Sequence, residues 1–155
     1  MTSCEDASLA WAKENKLTER ETEIVRLICR GKRNQAMAKE LGLAMPTIRF
    51  HLRNLHKKLG TSDKVDIVLR IWRSVPEWSA AVGSSVSRLA QSCDLTNREA
   101  QIAELICKGM KNGSIATTLG LAIPTIRFHL RNLHKKLQTA DKVDIVLKAW
   151  MATSR

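Results

Sequence analysis

The sequence predicts an all-α protein built as two small four-helix helix-turn-helix domains in tandem. Two observations carry that prediction. Residues 17 to 72 align without gaps on residues 95 to 150 at a constant offset of 78, with 38 of the 56 positions identical. Each copy also runs through the same helix-start, turn and helix-stop signals in the same order, so the repeating unit is a chain of helices.

The first helix of each copy opens on a capping box. Thr18 and Glu21, repeated as Thr96 and Glu99, have the T-x-x-E spacing in which hydroxyl and carboxylate satisfy free N–H groups at a helix start. Ile24, Leu27 and Ile28 follow at i, i+3 and i+4, and Gly31 stands where a left-handed cap would end the helix. Asn34 and Asn112 read as N-caps of a short second helix that stops at Gly42 and Gly120. The set Ala38, Gly42, Ile48, repeated as Ala116, Gly120, Ile126, then supplies a small residue for close helix approach, a sharp turn and an apolar plug in the angle. That is a helix-turn-helix signal, and it occurs twice.

The third helix contains PTIRFHLRNLHKKL at 46 to 59 and again, unchanged, at 124 to 137. At 100° per residue Ile48, Leu52, Leu55 and Leu59 share one face, while Phe50, Arg53 and Lys57 lie opposite with Arg49 and Asn54 at the sides. No acidic residue falls between Ala44 and Ser62, so these cations have no partner on their own helix. A solvated basic face requires neither an apolar Phe50 among its cations nor duplication without change. A polyanion-reading face accounts for both.

Composition narrows the function. The 155 residues are 44% hydrophobic and 26% charged, a globular balance. Lys and Arg total 26 against 15 Asp and Glu, and the whole excess of +11 lies in the repeats, as +6 and +5. The N-terminal residues have neither the basic flank nor the apolar stretch of a signal peptide, and no apolar run nears the roughly 18 to 20 residues of a spanning helix. The expectation is a cytoplasmic, nucleoid-associated protein without membrane contact. Cys4, Cys29, Cys93 and Cys107 form no C-x-x-C pair and read as reduced thiols, and the histidines come in pairs five apart, off the spacing of shared helix ligands. No catalytic residue, metal site or cofactor is expected, since the repeats offer no nucleophile–base pair, metal cluster or phosphate-cradling loop.

The succession L-T-x-R-E, then C-R-G-K-R-N-Q-x-x-A-K-E-L-G-L, then P-T-I-R-F-H-L-R-N-L-H-K-K-L-G resembles the LuxR-type DNA-binding domain of bacterial transcription regulators. The resemblance covers residues 17 to 72 and 95 to 150. It implies that the third helix enters the major groove, with Arg49 and Arg53, and Arg127 and Arg131 in the second copy, as base or phosphate contacts. It also implies backbone contacts from Lys58 and Lys136 and from Asn34 and Asn112. The residue chemistry agrees: arginine bonds guanine O6 and N7, Asn54 and Asn132 suit adenine, and the Phe50 and Phe128 rings suit a thymine methyl. Lys57 and Lys135, with Lys32 and Arg33, have the reach of phosphate contacts. The sequence departs from the family at Ala44 and Ala122, where a capping Ser is usual, and at Gln138 and Gly113, which mark the second copy as the less stable.

The fourth helix, Asp63 to Trp72 and Asp141 to Trp150, has a second apolar stripe. Ile67 and Ile71 project away from the first, and the expectation is that they pack on Ile145 and Ala149, as a repeat–repeat or dimer interface giving inverted half-sites. Residues 1–75 form the first domain with a short lead-in helix, 76–84 a flexible linker and 85–155 the second domain with its own lead-in. The reading is a sequence-specific regulator of transcription that binds double-stranded DNA through two readers. Two others stand beside it: a module that titrates a LuxR-type partner through helix four, and a sequence-tolerant architectural DNA-binding protein.

Overall fold

The structure, a computed structural model, describes residues 4–153, with the side chain of Cys4 outside the described set. It is helical, with no strand among the described residues. Two compact units divide between Val75 and Pro76. The first holds α1 (Cys4–Glu14), α2 (Glu19–Cys29), α3 (Asn34–Leu41), α4 (Met45–Leu59) and α5 (Lys64–Arg73). The second holds α6 (Pro76–Ser92), α7 (Asn97–Cys107), α8 (Asn112–Leu119), α9 (Ile123–Leu137) and α10 (Lys142–Thr153).

Local chemistry sets these bounds. At α2 the Glu21 N–H donates to Thr18 Oγ1 at 3.2 Å, and the Thr18 N–H donates to Glu21 Oε2 at 2.9 Å. The same box opens α7, at 3.3 and 2.9 Å for Thr96 and Glu99. Asp63 caps α5 by accepting from the Asp66 N–H, and Asp141 does the same for Asp144. Asn34 and Asn112 do not cap. Each is the first helical residue, preceded by extended Arg33 or Lys111 without a side-chain cap bond. Their amide oxygens are instead taken by lysines from helix four, Lys64 Nζ at 2.5 Å from Asn34 Oδ1 and Lys142 Nζ at 2.6 Å from Asn112 Oδ1.

In each unit the core lies where helices one, three and four meet. Ile24, Ile28, Ile48, Leu55, Ile67 and Trp72 are fully buried in the first unit, as are Ile102, Ile106, Ile126, Leu133 and Ile145 in the second. Cys29 and Cys107 are buried beside these residues, and burial pushes the Cys107 thiol up to about 12, so it packs as a small hydrophobe.

Residues 76–84, expected as a flexible linker, are the first half of α6. The reason is that Trp78 has a hydrophobic seat: it is buried and its ring lies 5.6 Å from that of Trp150. Pro76 is tolerated because it stands at the first position, where no N–H bond is lost. Between α5 and α6 only Ser74 and Val75 remain, and the Val75 N–H donates to the Trp72 carbonyl at 2.9 Å.

The helix stops separate the copies energetically. Gly60 ends α4 at φ 62°, while Gln138 ends α9 at φ 53°, a left-handed conformation that places a Cβ against the following carbonyl. Gln138→Gly is therefore expected to stabilise the protein by about 1 kcal/mol, read as a higher midpoint of thermal unfolding, and Gly60→Gln to lower it comparably.

Candidate nucleic-acid interface

The interface is built from the turn upward. Gly42 at φ 63° and Gly120 at φ 64° end the second helices, and the next N–H returns to the chain: Leu43 to the Ala38 carbonyl and Leu121 to that of Ala116, both at 2.9 Å. Ala38 and Ala116 are buried there, and Ile48 and Ile126 fill the angle with no exposed surface. Ala44 and Ala122 give no side-chain cap, and a proline in the first turn presets the helix.

From that start α4 buries Ile48, Leu52, Leu55 and Leu59, and α9 buries Ile126, Leu130, Leu133 and Leu137. The opposite face is open in both. Arg49, Arg53, Asn54 and Lys57 are exposed, as are Arg127, Arg131 and Lys135, with Asn132 half-buried. Phe50 and Phe128 are each 54% exposed in the middle of these cations. Each ring stands edge to face against its neighbouring imidazole, Phe50 on His51 at 5.8 Å and Phe128 on His129 at 5.6 Å. A planar apolar group is thus held between arginines on a face without carboxylates.

The C-terminal ends of α4 and α9 are anchored, each to its own unit. Lys58 Nζ donates to Glu21 Oε2 and to the Lys16 carbonyl, both at 2.9 Å, and Lys136 Nζ reaches Glu99 Oε2 at 2.8 Å and the Asp94 carbonyl at 2.9 Å. Burial would raise the carboxyls of Glu21 and Glu99, but the bonds from lysine and from the capping threonine outweigh it and hold both below the ordinary value. Arg70 Nη1 donates to the Leu59 carbonyl at 2.7 Å, and Lys148 bonds the Leu137 carbonyl. These cations neutralise the negative end of the helix dipole.

The chain matches the family described as "Bacterial regulatory proteins, luxR family" twice, over residues 15–71 and 94–149. The chain belongs to the LuxR family of bacterial regulatory proteins. It is 37% identical over 65 residues to the uncharacterized response regulatory protein YgeK of Escherichia coli (strain K12), covering 42% of this chain and 44% of that protein. It is 38% identical over 65 residues to the HTH-type transcriptional regulator MalT of Vibrio campbellii (strain ATCC BAA-1116), covering 42% of this chain and 7% of that one. It thus spans less than half the length of these relatives. No solved structure matches.

Within this LuxR-family frame, helix four differs from expectation. Ile67, Ile71, Ile145 and Ala149, read as exposed interface residues, have no accessible surface. The cover is the lead-in helix of the same unit: α1 packs on α2 and α5, and α6 packs on α7 and α10. Buried Ala7, Trp11 and Ala12 in α1, and Trp78, Val86 and Leu89 in α6, form the apolar sides of those lead-ins. The sequence carried this signal in Trp11 and Trp78, large hydrophobes outside the repeats. Among the described residues no group of His, Cys, Asp and Glu is placed to hold a metal ion, and no helix is long and apolar enough to cross a membrane.

His56 and His134 contribute a pH dependence. Nδ1 of each shares a hydrogen bond of 2.8 Å with the hydroxyl of Thr61 or Thr139. Burial holds both pKa values below the ordinary 6.5, against the pull of Asp63 and Asp66, or Asp141 and Asp144. The unfolded chain therefore takes up protons first, and the stability these rings confer is complete above about 6.5 and lost as pH falls toward their folded values. Glu21 and Glu99 add a second loss below about 4.5, their ordinary value. The thermal midpoint should drop between pH 7 and pH 5, and a His56→Gln, His134→Gln variant should show a flatter profile across that interval.

Proposed function

We propose that this chain is a sequence-specific, double-stranded-DNA-binding transcription regulator that uses two near-identical readers. One observation carries the reading: the same exposed face, Arg49, Phe50, Arg53, Asn54 and Lys57 in α4 and its counterpart in α9, is presented twice with no carboxylate on either helix. Arg49, Arg53, Arg127 and Arg131 suit guanine edges and Asn54 and Asn132 adenine, while Lys57, Lys135, Lys32 and Arg33 reach phosphates. Lys58 and Lys136, with their ammonium groups on Glu21 and Glu99, serve by fixing the reading helix to α2 and α7. Asn34 and Asn112 lie at the start of the second helix, positioned by Lys64 and Lys142 for a backbone contact.

The similarity to proteins named as a response regulatory protein and a transcriptional regulator supports the same class. The retained basic face speaks against a module that only titrates a partner, and the burial of Ile67, Ile71, Ile145 and Ala149 removes the argument for pairing through helix four. On this reading the protein resides on the nucleoid, and one chain occupies one two-half-site element. Selection of bound duplexes from a random pool, together with mapping of bound DNA across a genome, tests it. A sharp motif containing two like half-sites is expected. Diffuse coverage without a motif would replace it with the architectural reading.

A further inference from the structure

An exposed phenylalanine needs a partner to be worth its contact with water. Five large hydrophobic residues are exposed among those described: Leu9, Phe50, Ile123, Phe128 and Met151. Only Phe50 and Phe128 occupy equivalent positions in the two units, and they match in exposure at 54% and in ring setting at 69° to the neighbouring histidine. On α4, Phe50 shares its outward stripe with Arg53, Asn54 and Lys57 at i+3, i+4 and i+7, and it sits in the second turn from the helix start. Reading helices of this architecture bring their N-terminal part to the base edges. In the major groove the bases present donors, acceptors and a single kind of apolar group, the C5-methyl of thymine. A ring fixed among arginines has no other apolar counterpart on an undistorted duplex.

We propose that Phe50 and Phe128 are specificity-determining residues that each read the C5-methyl group of a pyrimidine, thymine in unmodified DNA and 5-methylcytosine where cytosine is methylated. This rests on the DNA-reading function proposed above and names the group recognised. The ring buries the methyl while the flanking arginines take the neighbouring polar edges. Each half-site then has one position at which methylation of the base, rather than its pairing identity alone, sets affinity.

The test uses the full chain and the duplex recovered by selection, with each thymine replaced in turn by deoxyuridine. A replacement in one half-site is expected to weaken binding about fourfold, and replacements in both half-sites about fifteenfold, as follows from the transfer free energy of about 0.8 kcal/mol for one buried methyl. The Phe50→Ala, Phe128→Ala variant changes only exposed side chains and should bind thymine and uracil duplexes alike. At the same position, 5-methylcytosine should be preferred over cytosine by the native chain and not by the variant. If the native chain binds thymine and uracil duplexes equally, as for a ring wedged between base pairs, the inference is overturned. It is also overturned if the variant keeps the discrimination. Failure to select any duplex overturns the DNA-reading function itself, whereas a sharp motif without methyl sensitivity overturns only the role of the two phenylalanines.

Discussion

Replacing Arg53 and Arg131 together with alanine should remove one base contact from each reader, at about 1–3 kcal/mol apiece, and relax the preferred base at the matching position of both half-sites. Both side chains are exposed and opposite the buried stripe of their helix, so folding should be unaffected. Repeating the binding-site selection with the double variant measures the change. Lys57→Ala with Lys135→Ala provides the contrast: affinity should fall alike for every sequence, and the slope of log affinity against log salt should decrease by roughly two, one per lost phosphate contact. An unchanged motif for the arginine variant would show that sequence is read elsewhere.

Disabling one reader in the intact chain should weaken binding to a two-half-site element by at least about a hundredfold. The variant carries Arg127→Glu and Arg131→Glu, which repel the backbone without touching the core. Linked modules engage their second site at an effective concentration near millimolar, so the loss of one reader removes that advantage entirely. The joint consists of Ser74 and Val75 alone, and the Val75 N–H donates to the Trp72 carbonyl. For paired helix-turn-helix readers acting on one face of the duplex, the half-sites lie about one helical turn, roughly 34–36 Å, apart. Inserting about half a turn of DNA should therefore weaken the native chain toward the level of the one-reader variant. Titration against defined duplexes, with the mass of the complex measured in solution, reads both effects. Two chains per element would refute the single-chain mode.

The helix-turn-helix core and the exposed basic face of α4 and α9 were legible because each follows from periodicity within one helix. Ile48, Leu52, Leu55 and Leu59 are four points of a 3.6-residue pattern, and the exposed Arg53 and Phe50 are its complement. The capping boxes were equally local. What escaped was partnership at long range. Asn34 looks like a cap until Lys64, thirty residues on, takes its amide oxygen. In the sequence Lys58 shows only its charge and reach, and its bond to Glu21, thirty-seven residues away, is not visible in the helix pattern. Ile67 and Ile71 look like an interface because the lead-in helix, though expected, lies outside the repeat, and no local pattern said that it would pack on helix four. Pro76 and Gly83 weighed toward a flexible linker in 76–84, while Trp78 held the opposite signal.

The near-identity of α4 and α9 bears on how the chain reaches its native state. α4 and α9 differ at one of fifteen residues, Met45 against Ile123, and their buried leucines and isoleucines are the same. Either helix would fit either scaffold, so packing cannot tell the right pairing from a swapped one. The chain's own connectivity can. Three residues, Gly42 to Ala44, separate α3 from α4, whereas a swapped pairing must close a loop of about eighty. Closing the longer loop costs roughly 3 kcal/mol more in chain entropy, enough to favour native docking by about a hundredfold. That margin is kinetic as well as thermodynamic, because short loops close first. Lengthening the turn between α3 and α4 would erode it, and misassembly between units is the failure that such a change invites.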